Sequence, residues 1–257
     1  MMANATREMS GHRLAEETAI AISFNGTTLA VMMASPQDVK DFAYGFALSE
    51  GVISNQSEVE RFAIKTHSTG VEAQLWVTAQ KAEALHARRR HMAGPVGCGL
   101  CGLDSLNEAL RPLPNIICSQ PVLTANDIET ATDFLRQKQP LHDQTRAVHA
   151  AGFLVRGKGI VMAREDVGRH NALDKLIGAL MAAGRDPARG ACVITSRASM
   201  DMVQKTAMAG CPVLVAVSAP TALAVDVAID AGVSLIAFAR TSNFEIFSHP
   251  DRIETGQ

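Results

Sequence analysis

Segment 94–102 holds two cysteines that are separated by two residues, which is a Cys-x-x-Cys pattern. Of all residues in the chain, these two have the spacing most suited to chemistry. Four glycines and one proline share this nine-residue segment with Cys98 and Cys101. Glycine and proline disfavour both helix and strand, so we expect an exposed loop that presents both thiols. Thiolates in such loops act as nucleophiles and accept sulfur, so the segment predicts sulfur chemistry.

The residues that flank this loop are expected to favour the thiolate form of its cysteines. Three arginines, residues 88–90, lie just upstream, and positive charge lowers the pKa of a nearby thiol. Downstream, residues 103–110 have helical spacing, and the N-terminus of a helix also favours an anion. We therefore predict reactive rather than inert thiols at Cys98 and Cys101.

A Cys-x-x-Cys pair has three ordinary uses, of which the first is half of a zinc site. Such a site needs two further ligands at regular spacing. The other cysteines, Cys118, Cys192 and Cys211, stand singly, and the sequence has no His-x3-His pattern. We therefore expect no zinc, and we expect Cys192 and Cys211 to be buried and inert.

The second and third uses are a redox pair and a sulfur relay. A thioredoxin-like pair begins a helix directly after a buried strand, whereas this pair follows an Arg/His run and Gly94-Pro95. A relay needs an exposed cysteine of low pKa that accepts sulfur as a persulfide. The relay fits this loop better, and a thiol–disulfide redox protein is the alternative.

Composition restricts the class of protein and its surroundings. The 257 residues are 47% hydrophobic with a net charge of −2, which describes one or two globular domains and argues against bulk nucleic-acid binding. No apolar run approaches the roughly 20 residues that cross a bilayer, and residues 1–11 lack the apolar core of a secretory signal. Five cysteines, an odd number, fit a reducing compartment. We expect a cytoplasmic protein without a membrane segment.

The first part of the chain, residues 12–114, is predicted to be a smaller α+β part that ends in the thiol loop. Asn25-Gly26 predicts a hairpin between strands 17–23 and 27–34, and a second hairpin is predicted from strands 62–66 and 71–78. Apolar spacing predicts a helix over 36–50, with Ser35 as its N-cap and Pro36 at its first position.

The second part, residues 115–257, is predicted to be an α/β part, possibly continuous with the first. It opens with a connector that holds a helix over 125–137 capped by Thr124. Strands and helices then alternate, which predicts a sheet covered by helices. The predicted strands are 148–155, 159–163, 191–195, 212–218 and 233–239, and the predicted helices are 166–181, 200–209 and 221–231.

Polar residues gather in three turns where predicted strands lead into helices: 164–171, 195–199 and 218–221. If the strands are parallel, these turns share one edge of the sheet, where α/β folds commonly bind ligands. Arg169, Arg197 and Ser218 suit phosphate, although ordinary helix capping is the alternative. His149 and His170 could act as acid–base or ligand groups, or be structural.

Several stretches together resemble the formate dehydrogenase accessory sulfurtransferase family (FdhD). They include Gly-Cys-Gly-Leu-Cys-Gly at 97–102, Glu-Asp-Val-Gly-Arg-His-Asn-Ala-Leu-Asp-Lys at 165–175 and Ser-Ala-Pro-Thr-Ala-Leu-Ala-Val at 218–225. Shorter stretches at 196–199, 202–205, 31–36 and 46–51 also match. The resemblance covers residues 14 to 250 or so.

This resemblance implies a cytidine-deaminase-like three-layer α/β sandwich that forms a cytoplasmic homodimer. It implies a sulfurtransferase that takes sulfur from a cysteine desulfurase and delivers it to the bis(guanine dinucleotide) molybdenum cofactor of formate dehydrogenase. Cys98 would carry the persulfide with Cys101 as its partner. The family's cofactor-binding run falls on Phe238, Ala239, Arg240, Thr241, Ser242 and Asn243, and Asn243 stands where relatives often carry a basic residue.

Two other functions are alternatives to sulfur transfer: a zinc deaminase and a cofactor chaperone. A zinc deaminase needs His-x-Glu followed by Pro-Cys-x-x-Cys, but His149-Ala150 is followed by Ala151, and the Cys-x-x-Cys pair comes earlier in the chain. The general acid and the metal ligands are therefore both missing. A cofactor chaperone that binds guanine nucleotide without transferring sulfur stays open as an alternative.

Overall fold

The structure is a computed structural model that describes residues 5–82, 85, 112–118, 122–240 and 243–254. Several predicted features lie outside these residues. They are the thiol loop 94–102 with Cys98 and Cys101, the three arginines 88–90, the helix predicted over 103–110, and Thr241 and Ser242.

The described strands, in chain order, are β1 Thr6–Met9, β2 His12–Ala15, β3 Thr18–Phe24, β4 Thr27–Ala34, β5 Val59–His67, β6 Gly70–Val77, β7 Leu123–Thr124, β8 His149–Val155, β9 Gly159–Asp166, β10 Ala191–Ile194, β11 Val213–Ala216, β12 Ser234–Arg240, β13 Asn243–Ile246 and β14 Ile253–Glu254. The described α-helices are α1 Val39–Ser49, α2 Ala125–Arg136, α3 Pro140–Thr145, α4 Arg169–Ala182, α5 Met200–Met208 and α6 Ala222–Ala231.

A four-stranded sheet and one helix make up the N-terminal layer. The strand order is β4-β3-β6-β5, in which β3 and β6 run parallel and the two hairpins are antiparallel. Both predicted hairpins are confirmed, and Asn25 adopts the positive φ of 47° that its turn requires. Alternate residues of β3, Ile20 and Ile22, pack with Phe42 of α1 in a shared core.

A six-stranded mixed sheet organises the second half of the chain, with the order β13-β12-β11-β10-β8-β9. Strands β10, β11 and β12 are parallel, and β8 is antiparallel to both β10 and β9. Strand β9 therefore runs in the same direction as β10, β11 and β12. Because β8 and β13 run the other way, the sheet is mixed, and the predicted α/β alternation is confirmed.

Helices cover both faces of this sheet, which gives three layers. Residues of β10 alternate between the faces, as a strand requires: Cys192 and Ile194 pack with helices α4, α5 and α6, whereas Val193 packs with α2. Thr124 caps α2 in a capping box with Asp127, so this predicted helix is confirmed. The helix lies on the sheet through Ile128 and Leu135, both buried.

Helices α1 and α4 touch backbone to backbone, which joins the N-terminal layer to the second half. A Cβ atom added at Gly45 would lie 1.7 Å from the carbonyl oxygen of Asp174. Reciprocally, a Cβ atom at Gly178 would lie 1.9 Å from the carbonyl oxygen of Asp41. Glycine is needed at both positions because no side chain fits between the helices.

Gly45→Ala is accordingly expected to destabilise the protein by about 1–3 kcal/mol or more in urea unfolding. Alanine is a better helix former than glycine by about 1 kcal/mol, so helix propensity alone would make this variant more stable. A net loss of stability would therefore come from the contact with α4. Lys40→Ala on the exposed side of α1 is the matched control and should change stability by less than about 0.5 kcal/mol. Equal stability of Gly45→Ala and wild type would contradict this close approach.

The predicted start of α1 is wrong. The helix begins at Val39 rather than Pro36, with Asp38 as an N-cap residue that makes no side-chain cap bond. Ser35 is not the cap because its polar atoms bind the second half of the chain instead. Its amide donates to Asp166 Oδ2 at 3.0 Å, and its hydroxyl accepts from the Val167 amide at 3.2 Å.

Several short elements have no counterpart among the predicted ones. They are the β1–β2 hairpin, the six-residue helix α3, the β7–β14 pair and strand β13. Each is short, and a short segment offers too few residues for a hydrophobic period to be recognised. Among the described helices, none combines the length and apolar character needed to cross a membrane.

Candidate functional site

The carboxyl ends of four strands meet at one edge of the six-stranded sheet. Strands β9, β10, β11 and β12 all end there, and β8 begins there because it runs in the opposite direction. The second and third polar turns follow β10 and β11. The first, predicted over 164–171, is shorter, because β9 extends to Asp166 and α4 begins at Arg169 rather than at residue 166. All three nevertheless lie at one edge, as predicted for parallel strands. Such edges are the usual ligand sites of open α/β sheets.

Hydrogen bonds connect the second and third of these turns. The Ala198 amide donates to the Ala219 carbonyl at 3.2 Å, and the Thr221 amide donates to the Ala198 carbonyl at 3.0 Å. Ala198 and Pro220 form an isolated parallel bridge, which extends the pairing of β10 and β11 beyond the strands. Both turns are thus held by backbone contacts rather than by side chains alone.

The predicted phosphate ligands of these turns lie at this edge. Arg169 is the first residue of α4, whose N-cap, Gly168, supplies no side-chain hydrogen bond. Arg197 is exposed in the second turn, and Ser218 is half-buried in the third. The Ser218 carbonyl accepts from the Phe238 amide at 3.3 Å, which connects the third turn to β12. A guanidinium and free amides at a helix start suit an anionic group.

The predicted cofactor-binding run, residues 238–243, is not a loop after the last strand. Strand β12 continues to Arg240, and Asn243 begins the antiparallel strand β13, with which Arg240 is in register. Arg240 is exposed, whereas the Ala239 side chain is buried in the core and cannot face a ligand. The described residues of the run, 238–240 and 243, therefore belong to the two strands of a β12–β13 hairpin.

Phe238 departs from ideal strand geometry within this hairpin. Its φ is 52°, a left-handed conformation that is unfavourable for an aromatic residue, and the register shifts between Ala237 and Arg240. Its ring is 36% exposed, and its centroid lies 6.2 Å from that of Phe247. Strain of this kind clusters at ligand sites, so it supports a role for Phe238 at the edge.

Two histidines lie at the same edge, nearer to β9. His149 begins β8, and its Nδ1 lies 3.4 Å from Thr195 Oγ1, which in turn accepts from the Ala150 amide at 2.9 Å. Burial lowers the pKa of His149, and the positive charges of Arg169 and His170 lower it further. His149 is therefore neutral at pH 7 and able to accept a proton.

His170 lies in the first turn of α4, opposite α5. Its Nε2 is 3.7 Å from Asp201 Oδ2, which is slightly beyond hydrogen-bond distance but close enough for an ion pair. The His170 imidazole lowers the pKa of Asp201, which keeps that carboxylate charged. Ser199 Oγ, at the start of α5, is enclosed without a partner in the described part of the chain.

A buried ion pair stabilises the backbone at this edge of the sheet. Asp166 and Lys175 are both 0% exposed and lie 2.6 Å apart. Asp166 also accepts from the Gly168 amide at 2.8 Å and from Asn171 Nδ2 at 3.0 Å, and Lys175 donates to the Ser35 carbonyl at 2.9 Å. The pair thereby fixes the end of β9 and the start of α4 against the N-terminal layer.

A second buried pair lies deeper between the helices. Lys205 Nζ of α5 donates to Asp174 Oδ2 of α4 at 2.9 Å, and Ser49 Oγ of α1 donates to Asp174 Oδ1 at 2.7 Å. Burial raises the pKa of Asp174, against the attraction of Lys205. Burial also acts to lower the pKa of Lys205, but the Asp174 and Glu50 carboxylates outweigh it and raise that pKa.

Neither buried pair was recognised from the sequence. Asp174 and Lys175 interrupt an otherwise apolar run in α4, and every residue from 171 to 180 is buried. Charged residues inside such a run are the signal that could have indicated buried pairs, because buried charges require partners.

The prediction that Cys192 and Cys211 are buried is confirmed, whereas their predicted inertness stays a prediction. Cys192 and Cys211 are both 0% exposed, and the neighbouring Cys211 thiol together with burial raises the pKa of Cys192 well above its usual value. Among the described residues, no three His, Cys, Asp or Glu side chains gather as metal ligands. Cys98 and Cys101 lie outside those residues, so the expectation of no zinc stays a prediction.

The model of the FdhD/NarQ family matches residues 15–254. The chain belongs to the FdhD/NarQ family. This range includes Cys98, Cys101 and every residue of the sheet edge.

Similar FdhD/NarQ family members carry names that refer to sulfur. The sulfur carrier protein FdhD of Agrobacterium fabrum is 51% identical over 238 residues, which are 93% of this chain and 88% of that protein. The sulfur carrier protein FdhD of Bordetella bronchiseptica is 47% identical over 240 residues, 93% of this chain and 87% of that protein.

A solved structure shares the fold. The crystal structure of a candidate formate dehydrogenase accessory protein from Desulfotalea psychrophila superposes with a TM-score of 0.72 at 25% sequence identity. The superposition covers 98% of each chain. The N-terminal layer and the six-stranded sheet are thus both part of this shared architecture.

Proposed function

We propose that this protein is a sulfur carrier of formate dehydrogenase maturation. In this proposal Cys98 accepts sulfur as a persulfide from a cysteine desulfurase. The sulfur then passes to the bis(guanine dinucleotide) molybdenum cofactor, which the protein binds as a substrate. The recipient enzyme is the formate dehydrogenase that holds this cofactor.

The observation that carries this proposal is the convergence of four strand ends and three polar turns at one sheet edge. This edge presents Arg169, Arg197 and Arg240, whose guanidinium groups suit phosphate, and the strained Phe238 ring. A guanine dinucleotide offers phosphates for the arginines and an aromatic base for the ring. The sulfur-carrier part of the proposal is supported by the names of relatives that are up to 51% identical to this chain.

The proposed chemistry balances with the two thiols of the loop. The Cys98 thiolate attacks the outer sulfur of the desulfurase persulfide, takes that sulfur, and releases the desulfurase thiolate. Cys101 can then attack the Cys98 sulfur, which forms a disulfide and releases the outer sulfur as sulfide to the cofactor. In that step the Cys101 sulfur is oxidised to the disulfide level, the outer sulfur is reduced by the same amount to sulfide, and the Cys98 sulfur keeps its oxidation state. A cellular dithiol reductant then restores the two thiols.

Finer features that the resemblance implies belong to this proposal as well. We propose a cytidine-deaminase-like classification for the six-stranded sheet, supported by its mixed strand directions and by helices on both faces. We also propose a cytoplasmic location, since persulfide relay requires a reducing compartment. A homodimer is proposed because the family resemblance implies one.

Arg240→Ala is expected to weaken binding of GDP by about tenfold to a hundredfold, because it removes one charge-assisted phosphate contact worth about 1.5–3 kcal/mol. Calorimetric titration of both proteins with GDP measures this change. Persulfide loading of Cys98 should stay intact, since it needs only the loop and the sulfur donor.

Arg156→Ala is the matched control, because Arg156 pairs with Glu254 on the surface outside the edge. Its affinity for GDP should equal that of the wild type. Unchanged affinity in Arg240→Ala would remove the hairpin from the site, and loss of both binding and loading would indicate misfolding. GDP binding by a wild type that never loads sulfur would favour the cofactor chaperone instead.

A further inference from the structure

Strand β4 lies at an open edge of the four-stranded sheet. The order β4-β3-β6-β5 leaves one side of β4 without a neighbouring strand among the described residues. Two of its side chains are largely exposed, Val31 at 56% and Met33 at 52%. An open edge presents amide and carbonyl groups with which another strand can pair, so natural proteins usually protect such edges.

Hydrogen bonding alternates along a strand, so every second residue of β4 directs its amide and carbonyl away from β3. The Asn25 amide, just after β3, donates at 2.9 Å to β6, on the other side of β3. Counted back in steps of two, Ala21 also bonds towards β6, so its partner in β4, Val31, bonds outward. Met33 lies two residues further, and its carbonyl accepts from Asn171 Nδ2 of α4 at 2.8 Å. The backbone groups of Val31 are therefore open in the described part of the chain.

No charged residue protects this edge. From residue 18 to residue 37, a range that includes all of β3 and β4, the sequence has no Asp, Glu, Lys, Arg or His. The opposite edge strand, β5, carries Glu60, Arg61 and Lys65. The edge strands of the six-stranded sheet are charged as well, through Arg164 in β9 and Glu245 in β13. Among the described edge strands of these two sheets, β4 alone lacks the charges that usually prevent pairing.

The partner that suits such an edge is a second copy of this chain. Two copies of one edge strand can pair antiparallel across a two-fold axis, which places each strand against itself. Like residues then lie opposite or diagonal to each other, so a charged strand repels its copy and an uncharged strand does not. A different protein that recognised its partner through charge would find none on β4.

We propose that β4 pairs antiparallel with β4 of a second copy, so that two four-stranded sheets join into one sheet of eight strands. Val31 and Met33 pair with Ala21 and Ala19 of β3, on the face of the sheet opposite to Ile20 and the core. Their exposed side chains would form one apolar cluster with those of the second copy. The inference goes beyond the proposed function, which includes a homodimer but assigns no surface to it.

Sedimentation velocity of the full chain at about 10 μM tests this interface. The wild type should sediment as a dimer. Val31→Lys brings two ammonium groups together at the paired strands, so it should weaken association about a hundredfold or more and give single chains. Ile64→Lys is the matched control, because Ile64 is an apolar residue of the other edge strand, β5, and is 48% exposed. This control should stay dimeric.

A mixture of two variants excludes misfolding as the reason for a monomer. Val31→Lys and Val31→Glu should each be monomeric alone, because each carries like charges on both copies. Mixed in equal amounts they should recover a dimer, since an ammonium group then lies near a carboxylate. A mixture that stays monomeric would contradict pairing through β4.

The outcomes separate this interface from the proposed function. A Val31→Lys variant that stays dimeric would place the interface elsewhere and leave the homodimer standing. A monomeric wild type would overturn both the interface and the homodimer. Persulfide loading of Cys98 tests sulfur transfer independently, and Val31→Lys and Ile64→Lys should both keep it. If Val31→Lys alone loses loading while the wild type is monomeric, β4 binds the sulfur donor and pairing with a second copy is wrong.

Discussion

Cys98→Ala is expected to abolish the persulfide and to reduce maturation of formate dehydrogenase by on the order of a hundredfold or more. Under the proposed function Cys98 supplies the nucleophile, and Cys192 and Cys211 are buried where no donor can reach them. Intact mass after incubation with a cysteine desulfurase and cysteine should show an adduct of about 32 Da on the wild type. The adduct should disappear on treatment with a thiol reductant.

Matched variants separate Cys98 from the other thiols. Cys118→Ala, Cys192→Ala and Cys211→Ala should keep the adduct. Cys101→Ala should also load sulfur but should fail to release it as sulfide, because the second thiol is then missing. An unchanged, reducible adduct on Cys98→Ala would show that another cysteine accepts the sulfur.

Asp174→Ala is expected to destabilise the fold by about 3–5 kcal/mol, because it leaves the buried Lys205 ammonium without its main partner. Lys205 keeps Glu50 at 3.3 Å, but that carboxylate is more exposed and therefore compensates less. Urea unfolding followed by circular dichroism measures the loss. Such a cost is a large part of the total stability of an ordinary domain.

Glu16→Gln is the control for this variant, since Glu16 forms a surface ion pair with Arg7. Surface pairs contribute little, so its effect should stay below about 1 kcal/mol. A double variant, Asp174→Leu with Lys205→Met, removes both charges and should recover much of the lost stability. If Asp174→Ala unfolds like the control, the pair contributes little to stability.

Local signals predicted much of the fold. The Asn25-Gly26 turn, the Thr124 cap and the regular alternation of strands and helices each depend on neighbouring residues, and the described part of the chain contains the elements that these three signals predict. The convergence of the polar turns was also predictable, because it depends only on parallel strands ending at one edge. These predictions succeeded since local preference and tertiary packing favour the same result.

The remaining features depend on partners distant in sequence. Ser35 looks like a helix cap, but residue 166 lies 131 positions away and takes its amide instead. Lys205 looks like an ordinary polar position of α5 until its buried partner Asp174 is known. Phe238 reads as the interior of a strand, whereas its bulge arises from pairing with β13. Tertiary contacts of this kind leave little local trace in a sequence.

The backbone contact between α1 and α4 restricts how the molecule can move. Packed helices normally rearrange by small sliding displacements, which side chains absorb by changing rotamers. At Gly45 and Gly178 there is no side chain to adjust, so sliding would drive one backbone into the other. The N-terminal layer and the sheet edge should therefore move as a single rigid unit, and under the proposed function any displacement that accompanies sulfur delivery should arise elsewhere in the chain.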